Sequence, residues 1–204
     1  MRGIYAITAP RHDLYAAVAA ALRGGASVVQ YRDKGDDFAR RRAEAAQLRE
    51  LCQSAGALFI VNDDVALAAQ VGAEGVHLGR DDGLLADARK MLGAGAVIGV
   101  SCYNDVARAR QAAAAGADYI AIGSVFPSAT KPHAGAASLE LLAAARRAAQ
   151  LPVVAIGGIG PANIAEVAAA GADAAALVSA IFAAGDSEAA TAELVLRWRS
   201  GKGS

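Results

Sequence analysis

The sequence predicts a single-domain α/β protein with the TIM-barrel, or (β/α)8, fold, a closed barrel of eight parallel strands. Three observations carry this prediction. Eight short apolar, β-branched runs recur along the 204 residues, alanine-rich stretches with helical spacing separate them, and a Gly-Ala pair recurs before every second run. Continuous apolar runs of this length are typical of parallel strands, which are buried on both faces. Their alternation with helices predicts βαβ units.

Each strand is predicted from one apolar run, and the helices from what lies between. The runs span residues 4–8, 27–31, 58–62, 75–78, 97–101, 119–123, 153–157 and 174–179. Alanine, the best helix former, accounts for 55 residues and is concentrated between these runs. Residues 163–170 illustrate the helical spacing, because Ile164, Val167 and Ala168 fall on one face.

The Gly-Ala pairs begin at Gly25, Gly72, Gly116 and Gly171, so the intervals are 47, 44 and 55 residues. Glycine at the end of a helix is typical of the left-handed position just past its cap. Each interval holds about two βα units, which accounts for eight strands with right-handed crossovers. The alternative is an open, doubly wound sheet of five or six strands. The length leaves no room for a second domain, so we predict one barrel at 1–199 and a disordered tail at 200–204.

The composition excludes several classes of partner. Twenty basic residues balance twenty acidic ones, so there is no basic excess for a nucleic acid to bind. The sequence has no apolar run of about 18 residues, the length that predicts a membrane span. Residues 1–5 do not resemble a signal peptide. Cys52 and Cys102 are too few for a disulfide framework. We therefore expect a soluble, reduced and cytoplasmic globular protein, for which a homo-oligomer is allowed but not required.

Polar residues are concentrated where the predicted strands end, while the strand bodies are apolar. In a parallel barrel these carboxyl ends share one mouth, which is where such folds place their active sites. The mouth is therefore the predicted site. The polar ends are residues 30–34, 62–64, 77–82, 101, 124–131, 157–158 and 178–179.

Two anion sites are predicted at this mouth. Gly157-Gly158 and Val178-Ser179 follow the last two strands, where backbone N–H groups and a helix N-terminus can hold a phosphate. The alternative is that the glycines only form tight turns. Arg32 and Lys34 are two residues apart and point the same way, and with Lys131 they could neutralise a diphosphate. The alternative there is a solvated cluster of charges with the neighbouring aspartates.

Asp63 and Asp82 follow adjacent strands and suit Mg²⁺, a hard cation often held by one or two carboxylates plus substrate phosphates. The alternative is that they are helix N-caps. His77 lies late in an apolar strand and is interpreted as a hydrogen-bonded structural residue rather than a ligand. Cys102 lies near the mouth, but no histidine-rich partner set indicates a thiolate nucleophile.

These strand-end motifs, in this order, resemble the thiamine-phosphate synthase family. The resemblance covers nearly the whole chain, and its specificity comes from all the motifs together, since Gly-Gly-Ile alone occurs in many phosphate-binding barrels. The motifs are residues 5–8 (YAIT), 30–34 (QYRDK), 61–63 (VND), 75–79 (GVHLG), 99–101 (GVS), 126–131 (FPSATK), 156–159 (IGGI) and 178–181 (VSAI).

The resemblance implies the barrel fold and a transferase that joins a pyrimidine diphosphate to a thiazole phosphate, with Mg²⁺ as cofactor. It assigns the pyrimidine diphosphate to Gln30, Arg32, Lys34, Asn62, Ser101 and Lys131, of which Arg32, Lys34, Ser101 and Lys131 are catalytic. It assigns Mg²⁺ to Asp63 and Asp82. It assigns the thiazole phosphate to Ser128, Thr130, Gly158, Val178 and Ser179.

The sequence departs from the family pattern at a few positions. Arg80 and Asp81 stand where glutamine and glutamate are common, Cys102 follows Ser101 where small residues are frequent, and Ser128 replaces a threonine but keeps a hydroxyl. Three other functions compete: the related thiazole tautomerase, a phosphate-ligand sensor and a phosphosugar isomerase. The aspartates, and a sixth strand that ends without a histidine, favour the synthase over the tautomerase.

Overall fold

The computed structural model of the protein describes residues 1–79, 84–127 and 138–203, and it confirms the predicted barrel. The eight strands form one closed sheet in sequence order, and all neighbouring strands are parallel. Closure is visible at Tyr5 in the first strand, which lies opposite Val28 on one side and Ala176 of the last strand on the other. The open doubly wound alternative is therefore wrong, because such a sheet has two free edges.

Strands and helices alternate along the chain as the sequence predicts. The strands are β1 (Gly3–Ile7), β2 (Val28–Tyr31), β3 (Leu58–Asn62), β4 (Gly75–Leu78), β5 (Val97–Tyr103), β6 (Tyr119–Gly123), β7 (Val153–Ile156) and β8 (Ala174–Leu177). The described helices are α1 (Leu14–Arg23), α2 (Phe38–Ala55), α3 (Val65–Val71), α4 (Leu85–Leu92), α5 (Val106–Ala114), α6 (Leu139–Ala149), α7 (Ile164–Ala169), α8 (Ser179–Phe182) and α9 (Ser187–Lys202).

The alternation of side chains along each strand divides the core into an interior and an outer layer. In β1, Tyr5 and Ile7 point into the barrel, while Ile4 and Ala6 pack beneath the helices. The same parity places Gln30, at the end of β2, on the inward face together with Val28. Inward positions that are apolar lower in the barrel thus become polar at the mouth.

The four recurrent glycines have the backbone conformation that the sequence predicts. Gly72 ends α3 in the left-handed conformation, and Gly25, Gly116 and Gly171 have φ between 90° and 101°. A side chain is disfavoured at such φ values, so glycine is the residue that lets each chain segment turn from helix to strand. Each turn delivers the chain directly to the base of the next strand.

The predicted tail at 200–204 is wrong for residues 200–202, which belong to α9. Trp198 is 6% exposed and anchors this helix in the outer core. Gly201 lies against the backbone of Ala165, where a Cβ would meet the carbonyl oxygen at 2.1 Å, and Lys202 donates to the carbonyl of Ala172. These contacts order the end of the helix. In the described part of the chain, no helix is both long and apolar enough to cross a bilayer.

Candidate active site

The carboxyl ends of β2 and β3 bring a cation, an amide and a carboxylate together at the mouth. Lys34 forms an ion pair with the carboxylate of Asp63, and the Asn62 side-chain amide donates to the same carboxylate oxygen. The backbone N–H of Asp63 donates to the carbonyl of His77 at 2.8 Å, which ties this group to β4. Residues predicted to contact the diphosphate and the metal therefore form one hydrogen-bonded group.

Asp63 and its neighbour Asp64 have different roles, although the sequence alone does not show which residue has which role. Asp63 has φ of 63°, an uncommon backbone conformation that aspartate tolerates better than most residues. Asp64 accepts from the backbone N–H of Leu67 at 2.8 Å and pairs with Arg41 at 2.8 Å. Asp64 is therefore the N-cap of α3, whereas Asp63 faces the mouth, and the helix-cap interpretation does not apply to Asp63.

Asp63 is the one of the two predicted magnesium ligands that the structure describes. The Asp63 side chain is 20% exposed, so its oxygens can reach a ligand in the mouth. Among residues 1–79, 84–127 and 138–203, no group of three or more His, Cys, Asp or Glu could hold a metal ion. The second predicted ligand, Asp82, lies outside the described residues. A carboxylate at this position fits Mg²⁺, which is commonly held by one or two carboxylates with substrate phosphates and water.

The loop after β2 carries Arg32 and Lys34, and the side chain of Asp33 anchors it. The Asp33 carboxylate accepts from the backbone N–H of Gly35 at 2.7 Å and pairs with Arg40 of α2 at 2.8 Å. The Arg40 guanidinium holds the pKa of Asp33 below its usual range. The Asp33 side chain is only 3% exposed. The interpretation as a solvated charge cluster is thus wrong for Asp33, which is an anchor of the loop.

The backbone of Arg32 is hydrogen-bonded, whereas its side chain is exposed. Its N–H donates to the hydroxyl of Thr8 at 2.9 Å, and Thr8 in turn donates from its N–H to the carbonyl of Gln30. Thr8 is 2% exposed and was not among the predicted site residues. Its position directly after β1, at the rim of the mouth, is the signal that could have found it.

The turn after β7 requires glycine. Gly157 and Gly158 have φ of 101° and 64°, and a Cβ on Gly158 would lie 2.5 Å from the carbonyl oxygen of Pro127. Asn163 closes the turn by donating to the carbonyl of Gly158 at 3.0 Å. The glycines therefore form a tight turn, and phosphate binding there stays a prediction. Ser179, at the start of the four-residue helix α8, is exposed at the same mouth.

A buried chain of hydrogen bonds crosses the interior of the barrel below the mouth. Gln30 Nε2 donates to the Tyr5 hydroxyl at 2.8 Å, and the Tyr5 and Tyr119 hydroxyls are 2.9 Å apart. The Tyr119 hydroxyl lies 2.9 Å from His77 Nδ1, and His77 Nε2 lies 2.9 Å from Ser101 Oγ. The interpretation of His77 as a hydrogen-bonded residue is confirmed.

Tyr5 and Tyr119 were missed as members of this site. Both are 1% exposed and both point into the barrel. A signal was present, because a tyrosine inside an otherwise apolar strand needs a partner for its hydroxyl. The partner itself is not visible in the sequence, since 114 residues separate the two tyrosines.

The cysteines do not provide a nucleophile. Cys102 is fully buried at a register shift in β5, and burial raises the pKa of its thiol to about 11. Cys52 is fully buried within α2, and burial raises the pKa of its thiol to about 12. Both thiols stay protonated near neutral pH, which supports a packing role for each.

Several predicted residues lie outside the described part of the chain. They are Arg80, Asp81 and Asp82 after β4, and Ser128, Thr130 and Lys131 within the segment 128–137 after β6. Their assigned contacts stay predictions. The predicted site residues that the structure describes follow or end β2, β3, β5, β7 and β8, and they are Gln30, Arg32, Lys34, Asn62, Asp63, Ser101, Gly158, Val178 and Ser179.

Comparisons with known proteins agree with this geometry. The family profile described as "Thiamine monophosphate synthase" matches residues 4–181. The thiamine-phosphate synthase of Halorhodospira halophila is 62% identical over 199 residues, covering 98% of this chain and 95% of that protein. That of Nitrosococcus oceani is 54% identical over 196 residues, covering 94% of this chain and 90% of that protein.

A solved structure extends the likeness to three dimensions. The thiamine phosphate pyrophosphorylase of Pyrococcus furiosus superposes with a TM-score of 0.90 at 36% sequence identity. The superposition covers 98% of this chain and 97% of the other. Full-length identity, the family profile and the barrel all agree, and the chain therefore belongs to the thiamine-phosphate (thiamine monophosphate) synthase family.

Proposed function

We propose that this protein condenses 4-amino-2-methyl-5-(diphosphooxymethyl)pyrimidine with 4-methyl-5-(2-phosphooxyethyl)thiazole to give thiamine phosphate and diphosphate. The observation that carries the proposal is the pairing of Lys34 with Asp63 at the mouth of a barrel from this family. A diphosphate-binding cation beside a carboxylate suited to Mg²⁺ is what a reaction with a diphosphate leaving group needs. The proposed partners are thus two small phosphorylated molecules.

The chemistry proceeds by loss of diphosphate from the pyrimidine. The bond between the pyrimidine methylene carbon and the diphosphate oxygen breaks, and its electron pair leaves with the diphosphate. The electron-rich aminopyrimidine stabilises the resulting cation, and the thiazole nitrogen donates its lone pair to form the new C–N bond. No proton is transferred and no protein nucleophile is required, which agrees with two buried, protonated cysteines.

The side chains of the mouth act on the charge that develops on the leaving group. Arg32, Lys34 and Lys131 would bind the diphosphate, and the hydroxyl of Ser101 would donate to one of its oxygens. Asp63 and Asp82 would hold Mg²⁺, which when bound supplies further positive charge against the same oxygens. Lys34 lies against Asp63 and would share its charge with the diphosphate when the substrate binds.

The thiazole phosphate would bind across the mouth, at the ends of β7 and β8. Gly158, Val178 and Ser179 would present backbone N–H groups there, joined by the hydroxyls of Ser128 and Thr130. The first N–H groups of a helix point out of its N-terminus, so those of Ser179 and Ala180 at the start of α8 would donate to the phosphate. Holding the two substrates in line would supply much of the remaining rate.

Ser179→Asp is expected to raise the KM for the thiazole phosphate by about tenfold or more, because a carboxylate would face the phosphate. The KM for the pyrimidine diphosphate should change less than twofold. Initial rates at varied concentrations of each substrate measure both values. Ser179→Asn, which has the same size without the charge, is the matched control. Equal thiazole affinity in the wild type and Ser179→Asp would remove this residue from the site.

Diphosphate release tests the proposed reaction directly. Release is measured with both substrates, with each alone, and with and without Mg²⁺, and thiamine phosphate is quantified in parallel. We expect release only with both substrates and Mg²⁺, in equal amount to thiamine phosphate. No release from folded protein in any mixture would reject the synthase in favour of the tautomerase or the sensor.

A further inference from the structure

We propose that Tyr119 is a positioning residue that orients Gln30 and Ser101 for the pyrimidine diphosphate through the buried chain of hydrogen bonds, here called the relay. The relay consists of Gln30, Tyr5, Tyr119, His77 and Ser101. The identity of the substrate rests on the proposed function. The relay itself is a property of the free protein and can be tested without any substrate.

Tyr119 holds the middle of the relay and does not reach the mouth. Its hydroxyl lies 2.9 Å from the hydroxyl of Tyr5 and 2.9 Å from His77 Nδ1. Its ring stacks on the His77 ring, with centroids 5.5 Å apart and planes inclined by 28°. Tyr119 is 1% exposed, so it cannot act on substrate directly. Any influence it has on the reaction must pass through the two ends of the relay.

The relay has a direction that is set at Gln30. The Gln30 amide nitrogen can only donate, so the Tyr5 oxygen accepts and the Tyr5 proton is available for Tyr119. Tyr119 can then donate to His77 Nδ1, which leaves the proton of the imidazole on Nε2. In that tautomer His77 Nε2, which lies 2.9 Å from Ser101 Oγ, donates to it, and the hydroxyl proton of Ser101 is left for an oxygen of the substrate. The side-chain oxygen Oε1 of Gln30 is left as an acceptor.

Both tyrosines stay neutral, so the relay transmits orientation and not charge. Burial raises the pKa of Tyr5 and of Tyr119 well above the ordinary value of a phenol. Each hydroxyl therefore keeps its proton at any pH at which the enzyme would be assayed. A hydroxyl with a proton both accepts and donates, which is what a middle member of the chain must do.

The packing around Tyr119 leaves room for its ring inside the barrel. Gly99 on the neighbouring β5 faces the ring, and a Cβ there would lie 1.9 Å from the ring carbon Cζ. A glycine thus opens the space that the Tyr119 ring occupies. The relay joins β1, β2, β4, β5 and β6, so it spans more than half of the barrel.

Tyr119→Phe removes one oxygen from the relay and keeps the ring. We expect the kcat/KM for the pyrimidine diphosphate to fall about tenfold, the usual scale for one lost hydrogen bond. The KM for the thiazole phosphate should change less than twofold. Tyr31→Phe is the matched control, because Tyr31 is also buried but its hydroxyl donates to Glu44 at 2.7 Å, outside the barrel. It should leave both values within twofold.

A double-mutant cycle separates positioning from simple loss of stability. If Tyr119 acts only through the two ends of the relay, then Tyr119→Phe should cost less than twofold in a background that carries both Gln30→Ala and Ser101→Ala. A merely structural role would give independent losses that multiply. A full tenfold loss in that background would overturn the assignment of Tyr119 as a positioning residue.

The tautomer of the His77 ring, that is, which of its two nitrogens carries the proton, gives a readout that does not depend on activity. The chain has three histidines, so the ¹⁵N signals of the His77 ring can be assigned by comparison with His77→Gln. We expect the Nε2–H form in the wild type and a changed ratio of the two forms in Tyr119→Phe. An Nδ1–H form in the wild type, or identical signals in both proteins, would overturn the relay. The expected signals without synthase activity would instead reject the proposed function and the substrate assignment.

Discussion

Asp63→Asn is expected to lower the turnover of the two-substrate reaction by about 10²–10³-fold, because it removes the carboxylate proposed to hold Mg²⁺ against the leaving diphosphate. The concentration of Mg²⁺ needed for half-maximal rate should rise as well. Steady-state rates over a range of Mg²⁺ concentrations measure both effects. This is the largest effect on activity that we expect from one described residue.

Asparagine is the informative replacement because of the backbone. Asp63 has φ of 63°, a conformation that asparagine adopts at a lower energetic cost than alanine. Asp63→Asn therefore changes the charge and the metal-binding ability while leaving the turn intact. Alanine would add a backbone cost of about 1 kcal/mol or more to the measurement.

The neighbouring aspartate supplies a matched control. Asp64→Asn weakens the pairing with Arg41 but keeps an oxygen that can cap α3. It should change the free energy of unfolding by less than about 1 kcal/mol and leave the Mg²⁺ dependence as in the wild type. If folded Asp63→Asn keeps the turnover and Mg²⁺ dependence of the wild type, Asp63 does not hold the metal.

Gly99→Ala is expected to lower the free energy of unfolding by about 3 kcal/mol, the upper range for overpacking a filled core. The added methyl would lie 1.9 Å from Cζ and 2.3 Å from Cε1 of the Tyr119 ring. The strands on both sides are paired, so neither can move away cheaply. Denaturant unfolding measures the loss. Where the variant folds, the displaced Tyr119 should also lower the kcat/KM for the pyrimidine diphosphate.

Two further variants show whether Tyr119 is the cause. Gly95→Ala, just before the same strand, meets no atom within 4 Å and should change the free energy of unfolding by less than about 0.5 kcal/mol. Tyr119→Val removes the ring, so it should recover part of the loss when combined with Gly99→Ala. Simple addition of the two single-variant losses would show that the ring and the methyl do not compete for space.

The barrel could be predicted because its signals are local. Apolar runs, helical spacing and recurrent glycines are properties of neighbouring residues, and β3, β4 and β6 have the bounds that the sequence predicts. β5 runs two residues further, to Tyr103, because a register shift lets the chain continue past Ser101. Parallel strands bring their carboxyl ends to one mouth, so the described residues that follow the strands lie there, as the sequence predicts.

The sequence by itself determined the face on which each strand residue lies, because successive side chains of a strand alternate between its two faces. Only the tertiary structure decided their partners, since these depend on how the closed sheet aligns distant strands. Lys34 meets Asp63 across 29 residues, and Tyr5 meets Tyr119 across 114. The division of labour between Asp63 and Asp64 likewise depends on one backbone angle and the approach of Arg41. The alternation of side chains specifies the face of the strand on which a residue lies, and the closed sheet specifies which residue of another strand it contacts.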